Sequence, residues 1–132
     1  MRIVFFASEY SPYNMTGSFR SMKFARHLRQ LGIEVYIITL TKDAADIYLG
    51  EKRIDASLVD KEEDRFIYRA LAKKPFSDYF GLFPLLKNNK LFFEDLKQTI
   101  SKISPQVILA TYPHSSAIKI ASRIGKELNL PI

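Results

Sequence analysis

The sequence of 132 residues contains no cysteine, only two histidines and no long apolar run. Without cysteine the chain can form no disulfide, no thiolate metal site and no cysteine nucleophile, which suits a reducing compartment such as the cytoplasm. The first apolar run, Ile3 to Ala7, is too short for a signal-peptide core, and no run approaches the roughly 20 residues that span a bilayer. We therefore expect a cytoplasmic protein without a membrane-spanning helix of its own.

The signatures of several kinds of site are also missing. Two histidines without a carboxylate cluster at ligand spacing give no support to a metal site. There is no Walker loop, and the dinucleotide fingerprint fails because no glycine stands two residues before Gly17 and none follows it before Gly32. A Rossmann oxidoreductase fragment is therefore a secondary hypothesis, which NAD(P) binding would support. No nucleic-acid-binding module is evident, so nucleic acid is not an expected partner.

The chain does have enough apolar sequence for one domain, together with an excess of positive charge. Hydrophobic residues make up 47% of it, which allows a core of ordinary size, and its formal net charge at neutral pH is +6. This charge favours acidic partners such as phosphates or an anionic membrane surface, although a lysine-rich soluble surface gives the same value.

Short apolar runs alternate with segments of helical periodicity. The runs RIVFFAS, EVYIITL, RFIYRAL and QVILATY are typical of buried strands in a parallel sheet. The first helix is expected from Ser18 to Leu31, with Gly32 as its C-terminal cap. The second ends at Ser104 and Pro105, and the third follows Pro113. The residues expected to face the core are Phe24, Ala25, Leu28 and Leu31, then Phe92, Leu96, Ile100 and Ile103, and finally Ile118, Ala121 and Leu128.

This alternation predicts an α/β domain with a doubly wound, mostly parallel Rossmann-like sheet and helices on both faces. A fifth strand is expected to begin at Pro131 or Ile132, so we interpret residues 1–132 as one domain of a longer protein, truncated at the start of that strand. In such sheets ligands bind beyond the carboxyl ends of the strands, where the strand order reverses. The first and fourth strands are each followed by an unusual loop, so we expect both strands to lie beside that crevice.

The first candidate site is the start of the first helix. Gly17 is a flexible residue and Ser18 a capping hydroxyl, at a point where free N–H groups and the positive end of the helix dipole favour an anion such as phosphate. Arg20 in the first turn opposes that dipole at a cost of up to about 1 kcal/mol, which a bound anion would offset. A turn glycine, an ordinary cap and a surface arginine explain the same residues without a ligand.

The second candidate site is the segment ATYPHSS after the fourth strand. His114 is suited to act as a general base or a hydrogen-bond donor, and Ser115 and Ser116 could cap the next helix and bind an oxyanion. A surface histidine after Pro113 is the simpler explanation. Residues 76–93, with aromatic and apolar side chains between lysines, could lie at a membrane interface or cover the sheet. They support the main alternative, a non-enzymatic anion-binding or membrane-docking α/β module.

Both ends of the chain resemble one enzyme family. MRIVFFASEYSPYNMTGSFRSMKFARHLRQLGIEVYIITL resembles the opening of bacterial glycosyltransferases of family 4, which have the GT-B fold, and ISPQVILATYPHSSAIKIASRIGKELNLPI is similar to a later strand, loop and helix of that family. Three positions depart from the family pattern: Thr16 stands where glycine is usual, Pro12 is a single proline where two are usual, and Ile33 replaces histidine. The resemblance does not cover residues 41–89.

The resemblance implies the N-terminal, acceptor-side domain of a retaining glycosyltransferase that needs no cofactor and no metal. Its substrates would be a nucleotide-diphosphate sugar donor and a sugar or lipid-linked sugar acceptor, in cell-envelope or capsular polysaccharide synthesis. The enzyme would be cytoplasmic or peripheral at the inner face of the plasma membrane. Because the donor-binding C-terminal domain is not within these residues, the chain alone is expected to be inactive.

The family's functional residues map onto the two candidate loops. Its glycine loop, which approaches the donor diphosphate, corresponds to Thr16 and Gly17, with Ser18 and Arg20 as neighbours. Its acceptor-side residues correspond to the segment from Thr111 to Ser115. Thr111 or His114 is the nearest match to a histidine that some members carry there, and Pro113 and Ser115 are assigned to substrate binding.

Overall fold

The structure is a computed structural model that describes residues 1–39, 54–58, 66–69, 90–111 and 115–132. Four strands and three α-helices lie within these ranges, together with a short 3-10 helix at Ala56–Leu58. The strands are β1 (Arg2–Phe6), β2 (Glu34–Thr39), β3 (Ile67–Arg69) and β4 (Val107–Ala110), and the α-helices are α1 (Thr16–Gln30), α2 (Lys90–Ile103) and α3 (Ser115–Leu128).

The four strands form one parallel sheet in the order β3-β2-β1-β4. In the register of the sheet Phe6 lies between Ile38 of β2 and Ala110 of β4. The chain therefore builds outward from β1 to β3 and then crosses to the opposite side of β1, so the strand order reverses between β1 and β4. This confirms the predicted α/β class and the predicted parallel sheet.

Both faces of the sheet are buried, which explains the continuous apolar runs of the strands. Val4 and Phe6 of β1 pack with residues of α2 and α3 on one face. Phe5, which alternates with them, packs with Met22 and Ala25 of α1 on the other face. Each face of β1 therefore belongs to a separate apolar cluster.

Helix α1 turns a stripe of small side chains to the sheet. Its buried residues are Ser18, Ser21, Met22 and Ala25. The prediction that Ala25 faces the core is confirmed. The same prediction was wrong for Phe24 and Leu31, both of which are exposed, although the Phe24 ring still touches the edge of Phe5 at a centroid distance of 5.6 Å. Small inner side chains let a helix lie close to a sheet, and the buried side of α1 carries Ser18, Ser21 and Ala25 beside the single larger residue Met22.

The predicted glycine cap of α1 is confirmed. Gly32 has a φ of 79° and donates its N–H to Arg29 O at 2.9 Å, and Ile33 donates its N–H to Leu28 O at 3.1 Å. This pair of bonds is the Schellman motif, in which a glycine adopts the left-handed conformation and satisfies the last carbonyls of a helix.

Helices α2 and α3 cover the opposite face with larger apolar residues. Leu96, Ile100 and Ile103 are buried as predicted, as is Ala121 of α3. Ile118 is exposed, so that prediction was wrong, and the side chain of Phe92 lies outside the described part of the chain. Other buried residues of the two helices are Phe93, Ala117, Ile120 and Ile124. Near the last residue, Pro131 O accepts the N–H of Ile108 at 2.9 Å, beside β4.

A charged cluster joins α2 to α3 at the surface. Lys97 contacts Glu94 at 2.7 Å and Glu127 at 2.9 Å, and Arg123 reaches Glu127 at 3.3 Å. The Arg123 guanidinium also lies 4.0 Å from the centroid of the buried Phe93 ring. The hydrogen bond from Lys97, followed by that from Arg123, holds the pKa of Glu127 below its usual range.

We predict that Glu127→Gln lowers the free energy of unfolding near neutral pH and that the difference from the parent protein disappears in acid. Because the pKa of Glu127 is lowered in the folded state, its contribution is present above the ordinary glutamate pKa and is lost as the pH falls below about 4. Urea unfolding across this pH range measures the effect. High salt should reduce the difference near neutral pH, and a difference that persists unchanged in acid would contradict the prediction.

Candidate functional site

The two candidate loops leave the sheet side by side at its carboxyl edge, where the strands end. Beyond β1, Ala7 donates its N–H to Ile38 O at 3.0 Å, and beyond β4, Thr111 donates its N–H to Phe6 O at 3.0 Å. The hydrogen-bonded pairing of the strands therefore continues for one residue past each strand. As predicted, both strands lie at the point where the strand order reverses, and the structure shows that they pair directly with each other.

The loop after β1, residues 7–15, is held in place by two buried tyrosines. Tyr10 is 1% exposed and belongs to the apolar cluster on the α1 side of the sheet, whereas Tyr13 is 2% exposed and belongs to the cluster on the side of α2 and α3. The loop therefore crosses the carboxyl edge from one face of the sheet to the other. This crossing accounts for its unusual length.

Residues 54–58 tie the same loop down from the outside. Tyr13 forms an isolated antiparallel bridge with Ile54, and Pro12 O accepts the N–H of Asp55 at 2.9 Å. Ser11 Oγ donates to Leu58 O at 2.8 Å. The hydrogen bonds to residues 54–58 and the burial of the two tyrosines together fix the loop, so the start of α1 is held at a defined place on the edge.

The start of α1 differs from the prediction in its capping. The helix begins at Thr16 after the N-cap residue Met15, which makes no side-chain cap bond. Ser18 therefore lies within the first turn and is not the cap. Its hydroxyl is fully buried and donates to Tyr10 O at 3.4 Å, which links the helix to the loop. A role for Ser18 in ligand binding stays a prediction, and its side chain is already used within the protein.

Gly17 is in direct contact with Glu9. A Cβ atom added to Gly17 would lie 1.9 Å from Glu9 Oε2 and 2.8 Å from the carboxyl carbon. A side chain at residue 17 would therefore have to displace the Glu9 side chain, whereas the helical backbone at this position needs no unusual φ. The first turn of α1 has no acidic residue of its own, so the Glu9 carboxylate supplies negative charge next to the positive end of the helix dipole.

Glu9 is the residue of this region that the sequence analysis missed. We expected a phosphate at the start of α1, and the structure places a carboxylate of the same chain there. The two residues in contact are eight positions apart. The path of the loop between them cannot be predicted from the periodicity of the sequence. The only signal in the sequence was the lack of an acidic residue in the first turn of a helix that carries Arg20.

The remaining predicted site residues divide between the two loops. Thr16 and Arg20 are exposed near Gly17, and Thr111 is half-buried at the end of β4. Ser115 is the first residue of α3, but its side chain lies outside the described part of the chain. Pro113 and His114 also lie outside the described residues, so the assignment of His114 or Thr111 to catalysis stays a prediction.

Ser8 completes the description of this edge. Ser8 Oγ is buried and finds no hydrogen-bond partner within the described residues, while Ser8 O accepts a bond of 3.4 Å from Thr39 Oγ1.

In the ranges that the structure describes, no group of three or more acidic or histidine side chains could hold a metal ion. No α-helix among those ranges has the length and apolar character needed to cross a membrane.

Comparison of the chain with protein-family models, with curated proteins and with solved structures finds no match.

We predict that the substitutions Gly17→Ala and Glu9→Ala are coupled. In the parent protein the added methyl group must displace the Glu9 carboxylate from the start of α1. Once Glu9 is alanine, the contacts with the carboxyl group are gone and only the Cβ atom of residue 9 remains, 3.2 Å from the added Cβ. Gly17→Ala should then be tolerated, because the higher helix propensity of alanine, worth up to about 1 kcal/mol, offsets that contact. Urea unfolding of the parent, both single variants and the double variant measures the coupling, which we expect to be about 1 kcal/mol.

Proposed function

We propose that residues 1–132 form the N-terminal, acceptor-side domain of a GT-B glycosyltransferase, with a doubly wound Rossmann-like sheet. The observation that carries this proposal is the fixed course of residues 7–15 over the carboxyl edge, at the reversal of strand order between β1 and β4. A loop held there presents the start of α1 to a ligand above the edge. The two segments that resemble the glycosyltransferases lie on either side of this reversal.

The proposed enzyme transfers a sugar from a nucleotide-diphosphate donor to an acceptor hydroxyl. As the bond to the sugar breaks, negative charge develops on the leaving diphosphate. The start of α1 and the guanidinium of Arg20 are suited to stabilise that charge, through free N–H groups and through charge-assisted hydrogen bonds. Thr16 and Gly17 would form the surface that the diphosphate approaches.

Glu9 adds a condition to this mechanism. A diphosphate and a carboxylate repel each other when both lie against the same turn of helix. The donor would therefore bind after the Glu9 side chain swings away from Gly17, a rotation of a flexible side chain.

The other loop would supply the acceptor side. Thr111, Pro113 and Ser115 are assigned to substrate contacts, and His114 or Thr111 to the catalytic role. The proposed reaction proceeds with retention and without a metal or other cofactor, and the donor nucleotide is held mainly by a C-terminal domain. The acceptor is a sugar or lipid-linked sugar of the cell envelope or capsule, so the enzyme works in the cytoplasm or at the inner face of the plasma membrane.

The test uses the chain joined to the donor-binding domain that the proposal requires downstream of it. We predict that Arg20→Ala lowers the rate of sugar transfer by about 10- to 100-fold, the value of one charge-assisted hydrogen bond. Lys23→Ala is the matched control, because Lys23 is an exposed cation of the same helix one turn further from its start. Release of nucleoside diphosphate from a panel of sugar donors measures the rate.

Three results would contradict the proposal. One is the absence of a second Rossmann-like half with paired glutamates downstream of residue 132. Another is sugar transfer by the 132 residues alone, which the proposal predicts to be inactive. The third is binding of NAD(P) by the chain in isothermal titration, which would favour the oxidoreductase hypothesis.

A further inference from the structure

Residues 54–58 lie against the crossing loop, residues 7–15, and Asp55 organises this short segment. Its Oδ1 atom accepts the N–H of Ser57 at 2.9 Å and the hydroxyl of Ser57 at 2.6 Å. Leu58 donates its N–H to Asp55 O at 3.0 Å, within the short 3-10 helix. An aspartate that accepts the N–H two residues further on forms an Asx-turn, which fixes the backbone of a segment with little other regular structure.

The turn presents two of its backbone groups to the crossing loop. The N–H of Asp55 donates to Pro12 O at 2.9 Å, and Leu58 O accepts the hydroxyl of Ser11 at 2.8 Å. One group lies at the start of the turn and the other at its end, so both bonds need the conformation that the Asp55 carboxylate stabilises. The carboxylate therefore acts on the loop through the backbone of its own segment.

Apolar burial anchors the two ends of the segment unequally. Ile54, which forms the antiparallel bridge with Tyr13, is 41% exposed, whereas Leu58 packs against the apolar cluster on the α1 side of the sheet. Burial therefore holds the Leu58 end and contributes less at the end that bonds to Pro12. Hydrogen bonds of the turn are needed to keep that end in place.

We propose that Asp55 is a positioning residue for the candidate site, because its carboxylate holds the crossing loop, and through it the start of α1, in place on the carboxyl edge. The loop leads directly into the helix. Phe19 in the first turn donates its N–H to Met15 O at 3.0 Å, and Ser18 donates its hydroxyl to Tyr10 O at 3.4 Å. A loop that opens more often therefore leaves the first turn of α1 without a defined position.

The role of Asp55 in sugar transfer rests on the proposed function and deepens it, whereas its hold on the loop is a property of the chain alone. Two measurements keep these two parts separate. Amide hydrogen exchange reports on the loop and needs no ligand and no second domain. Sugar transfer by the joined enzyme reports on the site.

The first measurement is amide hydrogen exchange of the full chain at single-residue level, near neutral pH. Asp55→Ala should speed the exchange of the Tyr13, Met15 and Phe19 amides about fivefold, the effect of losing one capping hydrogen bond. Asp55→Asn should keep the three rates within about twofold of the parent protein, because the asparagine side chain forms the same turn. A failure of this rescue would exclude the turn as the cause.

Glu127→Gln is the matched control, because it is expected to lower the free energy of unfolding from the other side of the sheet. It should leave the exchange of the loop amides unchanged, since these exchange through a local opening in which α2 and α3 stay folded. Urea unfolding compares the global stability of the variants. If Asp55→Ala fails to fold, Ser57→Ala takes its place, because it removes only the hydroxyl bond to the carboxylate and should speed the same amides about two- to threefold.

The second measurement is sugar transfer by the chain joined to the donor-binding domain. Asp55→Ala should lower the rate about fivefold, because a diphosphate site at the start of α1 needs a first turn of fixed position. Asp55→Asn should restore the rate. A loss of rate in Asp55→Ala that asparagine reverses links the conformation of the loop to the site.

Three further results would overturn the proposal. One is exchange of the loop amides in Asp55→Ala that equals that of the parent protein. Another is the same acceleration of these amides in Asp55→Ala and in Glu127→Gln, because the loop would then open only with the whole domain. The third is an active joined enzyme whose rate Asp55→Ala leaves unchanged. A joined parent enzyme that transfers no sugar contradicts the proposed function instead, and the exchange rates then decide whether Asp55 holds the loop.

Discussion

The arrangement of the candidate site depends on the burial of Tyr10 and Tyr13 on opposite faces of one sheet. A loop between a strand and a helix ordinarily stays on one side of a sheet, where a few residues suffice. Here each ring fills a different apolar cluster, and the backbone between them must pass over the ends of the strands. Neither ring can leave its cluster without exposing a large apolar surface, so the crossing is fixed by the core itself.

The packing of α1 follows from the same constraint. Ser18 bonds to Tyr10 O, so the first turn of the helix is tied to the crossing loop, while Ser21 and Ala25 let the rest of the helix lie close to the sheet. A helix that packs through small residues must carry its larger ones on the sides and outside. The exposed rings and cations of α1 therefore lie on the sides of the helix that are turned away from the sheet.

The sequence was sufficient for those features that are determined locally. Buried strands have continuous apolar runs, and Gly32 ends α1 because the left-handed conformation of a Schellman motif favours glycine. The orientation of α1 was mispredicted because two stripes in it have helical spacing. One contains Phe24 and Leu31, and the other, which the structure buries, is Ser18, Ser21, Met22 and Ala25. Hydrophobicity alone favours the first stripe, whereas the space beneath the helix selects the second.

The contact between Glu9 and Gly17 could not be predicted from the sequence, for a different reason. It also changes the interpretation of the first turn of α1. Its position depends on the path of the loop, which tertiary packing determines. A carboxylate against the first turn places negative charge near the positive end of the helix dipole, so the unliganded protein already has an anionic group there. Any anionic ligand must then bind this turn more strongly than Glu9 does. In the proposed enzyme Arg20 would add charge-assisted hydrogen bonds to the phosphate, which the helix dipole alone does not supply.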